Sequence, residues 1–389
     1  MIALTATRLL TPFESIDQPF LLIENGVISD LGPRASRPLP AQARVHDFPG
    51  ATLVPGLLDL HMHGGAGHDI MEADPAALPA LERLLAQHGV SGYFPTTITA
   101  PLDPTLSALE RLADAIDAAA ITASAHDPTP RARPLGIHLE GPFLNHLRRG
   151  VHPLDDLLPP SLTAFERFWE AARGHIRIMT IAPELPGALE VIAEADQRGV
   201  CVSLGHSDAK LEEARAGIAA GACHATHTFN AMRPLNHRDP GILTAVLADP
   251  EISADVIADG IHVDPTVVRL LARLKGPEKT VLITDALAAT GMPDGHYRLG
   301  TLEVEVRQGV CLSGQTLAGS VLTLDAAVRN LMSFAGVDLQ QSIKAATSNP
   351  ARAVGVSPRH GVLAPGARAD IAVLDNKYQV TRTIIGGVV

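Results

Sequence analysis

Between Thr52 and Leu287, short apolar runs alternate with longer Ala- and Leu-rich stretches whose apolar positions recur at helical spacing. Eight runs carry the pattern: TLVPGLLDLHMH from Thr52, GVSGYFPTTIT from Gly89, PLGIHLEG from Pro134, IRIMTIAPE from Ile176, VCVSLGHS from Val200, ATHTFNAM from Ala225, ISADVIADGIHV from Ile252 and VLITDAL from Val281. DPAALPALERLLAQHG from Asp74, PTLSALERLADAIDAA from Pro104 and DAKLEEARAGIAAG from Asp208 read as helices between them. Repeated strand and helix units predict a parallel sheet covered by helices. Eight such units in about 235 residues predict an α/β fold, a (β/α)8 TIM-like barrel, whose usual size is about 250 residues.

Both ends of the chain lack helical periodicity. FLLIENGVISDLG, with its Asn-Gly turn signal, and RADIAVLDNKYQVTRTIIGGVV read as short strands. They predict a small β-sandwich domain built from residues 1–50 and 356–389, leaving 51–355 to the barrel. YRLGTLEVEVRQGVCLSG predicts a β excursion after the eighth strand, followed by closing helices at Leu324 to Ala335 and Gln340 to Ala346.

Composition narrows the class. With 46% hydrophobic and 19% charged residues, and no uninterrupted apolar run of membrane-spanning length, the chain reads as a globular protein without a membrane partner. The net charge of −11 and the lack of a five-residue Lys/Arg cluster argue against nucleic acid. Arg8, Pro12 and Glu14 interrupt the N-terminal apolar stretch before a signal-peptide core forms, and Cys201, Cys223 and Cys311 show no CxxC spacing; both point to reduced thiols and a cytoplasmic location. The 17 histidines outnumber Phe, Trp and Tyr together, and several end apolar runs, so metal chemistry is the first place to look.

His61 and His63, in DLHMHGG, share one face of a strand while Met62 points away, so one ion can bind both. Glu140, in GIHLEGPF, ends the third run and supplies a carboxylate that can bridge two ions. His138 shares its face and reads equally as a pocket wall or a hydrogen-bond donor behind the ligands. His206 in SLGHSDA and His227 in ATHTFNAM each end a further strand. Four strands ending in His or Glu at the face where barrel enzymes build active sites argue jointly for a metal centre. Asp285 closes the eighth run; it reads as a helix N-cap for the following ALAAT or as a proton acceptor for water and donor to a leaving amine. His224 falls before the sixth run, and it, His46, His88, His126, His175 and His360 read as structural or surface residues.

Taken in order, VPGLLDLHMHGG, HLEGPFLN, LGHSDA, THTFNAM, IADGIHVD, LITDALAATGMPDG and LAGSVLTLDAAV resemble the N-acetylglucosamine-6-phosphate deacetylases of the amidohydrolase superfamily, across essentially the whole chain. The resemblance implies that Glu140, His206 and His227 hold the main divalent metal, zinc before iron(II), and that Asp285 is the acid/base. It assigns His152 to the sugar or the acetyl carbonyl, and His262, Asn230, Ala231 and Arg238 to the phosphate, with Arg238 reaching in from a neighbouring subunit of a homodimer as one option. Some members lack the first histidine pair and use one metal; His61 and His63 are kept here, so one or two ions per chain fit. The first lysine is Lys210, after five runs, so the carboxylated lysine of urease-like relatives has no counterpart and Glu140 takes its place.

The implied reaction is hydrolysis of the acetamide of N-acetylglucosamine 6-phosphate. Two alternatives stand beside it: another amidohydrolase, such as a D-amino-acid deacylase or cyclic-amide hydrolase, and an inactive barrel serving as an oligomeric scaffold. The second would be expected to have lost ligands that this sequence retains.

Overall fold

In a computed structural model, which describes residues 1–72, 76–121 and 129–389, eight parallel strands form the expected barrel. They are Leu57–Met62, Val90–Thr97, a third strand in two pieces at Arg133–Pro134 and Ile137–Glu140, Ile176–Ile181, Cys201–Leu204, His224–Ala225, Ser253–Ile257 and Thr280–Ile283. Each pairs in parallel with the next, and a parallel bridge from Met62 to Ala286 joins the first strand to the eighth. The strands are rich in apolar residues because they are covered on both faces: Leu139, Met179, Val202 and Val256 are all buried.

Each helix covers the barrel with one apolar stripe. Leu109, Leu112 and Ile116 of Leu102–Ile121, and Val191, Ile192 and Ala195 of Ala188–Gln197, belong to the main core. The helix expected from Asp208 begins only at Leu211, because Asp208 is held in the preceding loop by its own hydrogen bonds. Asp74, the expected start of the first helix, and His126 lie outside the described residues; that helix runs Leu78–Gln87. Among the described residues no helix is long and apolar enough to cross a membrane.

The two ends meet in one seven-stranded sheet. Its path runs Val380–Ile384, Ile371–Leu374, Arg44–Pro55, Ile2–Leu10, Pro19–Glu24, Val27–Pro33, with Ser15–Asp17 on Ile2–Leu10. Alternation along the strands sends Leu4, Leu21 and Leu53 into one apolar layer and Ala3, Phe20 and Leu22 into another, the two-sided core of a small β unit. Asn25 and Gly26 make its hairpin turn with both φ positive, at 52° and 77°. Arg44–Pro55 runs past residue 50 and hands the chain to the barrel at Gly56, where a Cβ would lie 2.4 Å from Ser91 Oγ. The β excursion is a four-stranded antiparallel sheet over residues 295–317, packed on Ile98, Leu287 and Ala289, and the closing helices run Leu324–Ala335 and Leu339–Ala345.

Candidate metal centre and active site

His61, His63, Glu140, His206, His227 and Asp285 converge at the C-terminal mouth of the barrel, and all are buried. The two oxygens of Glu140 divide the histidines between them. Oε1 lies 3.1 Å from His227 Nε2 and 3.3 Å from His206 Nε2; Oε2 lies 3.2 Å from His63 Nε2 and 3.4 Å from His61 Nε2. Asp285 joins the second set, with Oδ1 at 3.3 Å from His63 and 3.6 Å from His61.

Tautomers follow from the outer ring nitrogens. His206 Nδ1 donates to the Arg148 carbonyl at 2.9 Å, and His63 Nδ1 donates to the Thr96 carbonyl at 3.1 Å. A carbonyl can only accept, so in each neutral ring Nε2 carries a lone pair. His206 Nε2 nevertheless sits 3.0 Å from His227 Nε2, and His63 Nε2 sits 3.2 Å from His61 Nε2. Two lone pairs cannot face each other at this distance, so a proton or a cation must lie between them. Without a cation the rings must supply the proton: burial lowers His63 and His227, but Glu140 and Asp285 outweigh burial and raise them to about 10 and about 9. Burial dominates at His206, which falls to about 4. Burial raises Asp285, but His61 and His63 outweigh it and hold the carboxylate below its ordinary range. The donor set, three or more imidazole nitrogens with carboxylate oxygens, fits a divalent metal ion.

The backbone at this mouth is bent to aim these side chains. His206, His227 and Asp285 have φ of 47°, 30° and 51°, the left-handed region that residues with a Cβ avoid. Such conformations cost on the order of 1–3 kcal/mol each and persist where the surroundings fix them. At Asp285 the fixing bonds are its N–H to the His61 carbonyl at 2.9 Å and the Ser320 N–H to its own carbonyl at 2.7 Å. No helix follows Asp285, so the N-cap reading is not realised.

His138 does not ligate. Its Nδ1 donates to the Leu60 carbonyl at 3.0 Å, its Nε2 accepts from the Thr180 hydroxyl at 2.8 Å, and its ring packs edge-on against His61. His152 is buried beside the cluster, with Nε2 3.6 Å from Glu140 Oε2; Thr99 N–H donates to its Nδ1 at 3.3 Å, which places the ring proton on Nε2. Asn230 and Ala231 form the turn after His227, where Asn230 Nδ2 donates to the His227 carbonyl at 3.2 Å. His262 lies in the turn after the seventh strand, its Nδ1 2.7 Å from Asp259 Oδ2. Arg238 is exposed, with Nε on His237 at 3.1 Å, and does not join the cluster of its own chain. His224 lies within the sixth strand rather than before it, its Nε2 3.2 Å from Asp255 Oδ2.

Thr96, the Arg148 carbonyl and Glu184 also build the site and escape the sequence reading. Backbone acceptors leave no mark on a sequence. Glu184 does: it closes the fourth run, IRIMTIAPE, three residues past the strand Ile176–Ile181, just as Glu140 and Asp285 stand at or just past the ends of theirs. It accepts from Asn145 Nδ2 at 2.8 Å, Ser207 Oγ at 2.8 Å and Asp208 N–H at 2.7 Å, tying three loops together.

A parallel (β/α)8 barrel whose strand ends converge four histidines and two carboxylates defines a metal-dependent hydrolase. The chain belongs to the amidohydrolase family, which it matches over residues 52–389. It is 38% identical over 385 residues to the N-acetylgalactosamine-6-phosphate deacetylase of Escherichia coli O157:H7, covering 99% of this chain and 98% of that one. It is 37% identical to the N-acetylglucosamine-6-phosphate deacetylase of Vibrio furnissii, covering 86% and 82%. Among solved structures, a single-residue mutant of the N-acetyl-D-glucosamine-6-phosphate deacetylase of Mycobacterium smegmatis in complex with N-acetyl-D-glucosamine-6-phosphate superposes with a TM-score of 0.91 at 37% identity, covering 100% and 99%.

Proposed function

We propose that this chain hydrolyses the acetamide of N-acetylglucosamine 6-phosphate, giving glucosamine 6-phosphate and acetate. The observation that carries this reading is the Glu140 carboxylate divided between two histidine pairs with Asp285 beside one of them. His61, His63, Glu140, His206 and His227 would hold the metal; the mixed imidazole and carboxylate set favours zinc, and the two oxygens of Glu140 favour two ions. When bound, a divalent cation there polarises the acetyl carbonyl and lowers the pKa of a water from 15.7 toward about 7.

The chain's own groups do the rest. Asp285, kept anionic by His61 and His63, accepts the proton of the attacking water and returns it to the amine nitrogen as the C–N bond breaks. His152, with its proton on Nε2, donates to the carbonyl oxygen as that oxygen gains charge. Asn230, Ala231 and His262 would line the phosphate end. Arg238, exposed and away from its own cluster, suits a phosphate contact made across a homodimer. The same reading places the barrel unit at 51–355 and the β unit at the two ends, and the three free thiols suit a cytoplasmic enzyme.

The E. coli relative matched almost end to end favours a second substrate, N-acetylgalactosamine 6-phosphate. Turnover of zinc-loaded protein on both epimers, on unphosphorylated N-acetylglucosamine and on an N-acyl-D-amino acid decides. A higher kcat/KM for the glucosamine epimer supports the proposal, and preference for the other moves the assignment to that epimer. Activity on the acyl amino acid alone, or none at all, overturns both.

A further inference from the structure

The fifth and sixth barrel strands carry a second pair of reactive side chains at the end opposite His206 and His227. Cys201 opens the fifth strand and Cys223 stands directly before the sixth. The Cys223 N–H donates to the Val202 carbonyl at 3.0 Å, and the two Sγ atoms lie 3.6 Å apart. Neighbouring strands about 4.8 Å apart, offset by one residue rise of about 3.3 Å, put the Cα atoms about 5.8 Å apart, within the range a disulfide spans. The thiols are unequal: Cys223 is exposed and Cys201 buried.

We propose that Cys223 and Cys201 form a thiol–disulfide exchange site, at which Cys223 reacts with a low-molecular-weight disulfide and Cys201 resolves the adduct. The Cys223 thiolate attacks one sulfur of RSSR, forming Cys223–S–S–R and releasing RS⁻. Cys201 then gives up its proton, and its sulfur attacks Cys223 Sγ, releasing the second RS⁻. The two cysteines lose two electrons, and RSSR is reduced to two thiols. Electrostatics favour this order. The S–H offered by Cys201, with the His224 imidazole nearby, lowers Cys223, whereas that same contact and burial raise Cys201. The third thiol, Cys311, is buried, its pKa pushed up to about 12, and serves as an internal control.

The test uses reduced, metal-loaded protein and oxidised glutathione as the probe, followed by alkylation, intact mass and non-reducing peptide mapping. The wild type is expected to yield a Cys201–Cys223 cross-link that dithiothreitol reverses. Cys201→Ser should stop at one glutathione on Cys223, with circular dichroism and metal content confirming its fold. In the untreated native protein, Cys223 should be alkylated at least about ten-fold faster than Cys311. The proposal is overturned if the two alkylate at equal rates, or if the wild type accumulates the glutathione adduct without a cross-link; both readings come from the wild type alone.

Discussion

The backbone carbonyl of Arg148 accepts the Nδ1 proton of His206 at 2.9 Å. That carbonyl is itself anchored. Arg148 Nε donates to Asp208 Oδ1 at 2.7 Å, and the Asp208 N–H donates to Glu184 Oε1 at 2.7 Å. Glu184 therefore orients His206, a proposed metal ligand, without touching it. Glu184→Gln would turn an amide N–H₂ toward one of its donors and loosen the loop. Groups that orient ligands typically contribute 10- to 100-fold to metal affinity, so the zinc Kd should rise by about that factor, with kcat partly restored at saturating zinc. An unchanged Kd would show that the loop holds His206 without Glu184.

Asp285→Asn keeps the shape of the side chain but removes its capacity to take a proton. Turnover should fall by about 10² to 10⁴, the usual contribution of a positioned acid/base, while calorimetry still detects binding of N-acetylglucosamine 6-phosphate to the metal-loaded variant. Turnover within about three-fold of wild type would end the proton-transfer assignment.

The divided carboxylate of Glu140 predicts that the two histidine pairs can be emptied separately. His61→Ala with His63→Ala should lower the metal content by one ion per chain and leave the other in place. His206→Ala should abolish tight retention of the ion on its side and with it the activity. Plasma emission analysis after gel filtration gives the counts, and wild-type stoichiometry in the double variant would rule out the second ion.

Glu82, on the buried face of the first helix, offers a test far from the candidate metal centre. Burial raises its pKa from 4.5 to about 7, against the lowering influence of Arg131 and the Tyr93 hydroxyl. A carboxyl group with a raised folded-state pKa contributes stability that is complete below the unfolded pKa. The contribution then falls as pH rises from about 4.5 through about 7. Urea unfolding should show the wild type losing about 1 to 3 kcal/mol more than Glu82→Gln between pH 4.5 and 8, since a tenfold difference in proton affinity between the folded and unfolded chain corresponds to about 1.4 kcal/mol. Parallel pH profiles would mean that Glu82 stays ionised in the folded protein.

Most of the barrel was legible because a strand buried on both faces leaves a continuous apolar run, and the residue ending that run lands at the mouth. Period-two alternation placed His61 and His63 together, and the runs themselves located Glu140, His206, His227 and Asp285. Other features depend on contacts between distant segments. His138 has the sequence position of a ligand, yet Leu60 and Thr180 occupy both of its nitrogens. The left-handed backbone at His206, His227 and Asp285 leaves no mark on the sequence, because His and Asp adopt it only where their surroundings hold it. Sequence spacing likewise could not show that Arg238 lies outside its own chain's cluster, because loop direction is set by packing.

The bridge from Met62 to Ala286, with the Thr284 hydroxyl donating to Asp59 Oδ2 at 2.6 Å across 225 residues, makes the first and last barrel strands a seam. Ribosomal synthesis delivers its two sides in order. A nascent chain that stops short of residue 280 already carries His61, His63, His206, His227 and Glu140, the proposed metal-binding set. It lacks Asp285, and its first and seventh strands each show an unpaired edge. Such a fragment holds the proposed metal-binding side chains but not the proposed acid/base, and only pairing of the final strand closes the open edges that invite aggregation.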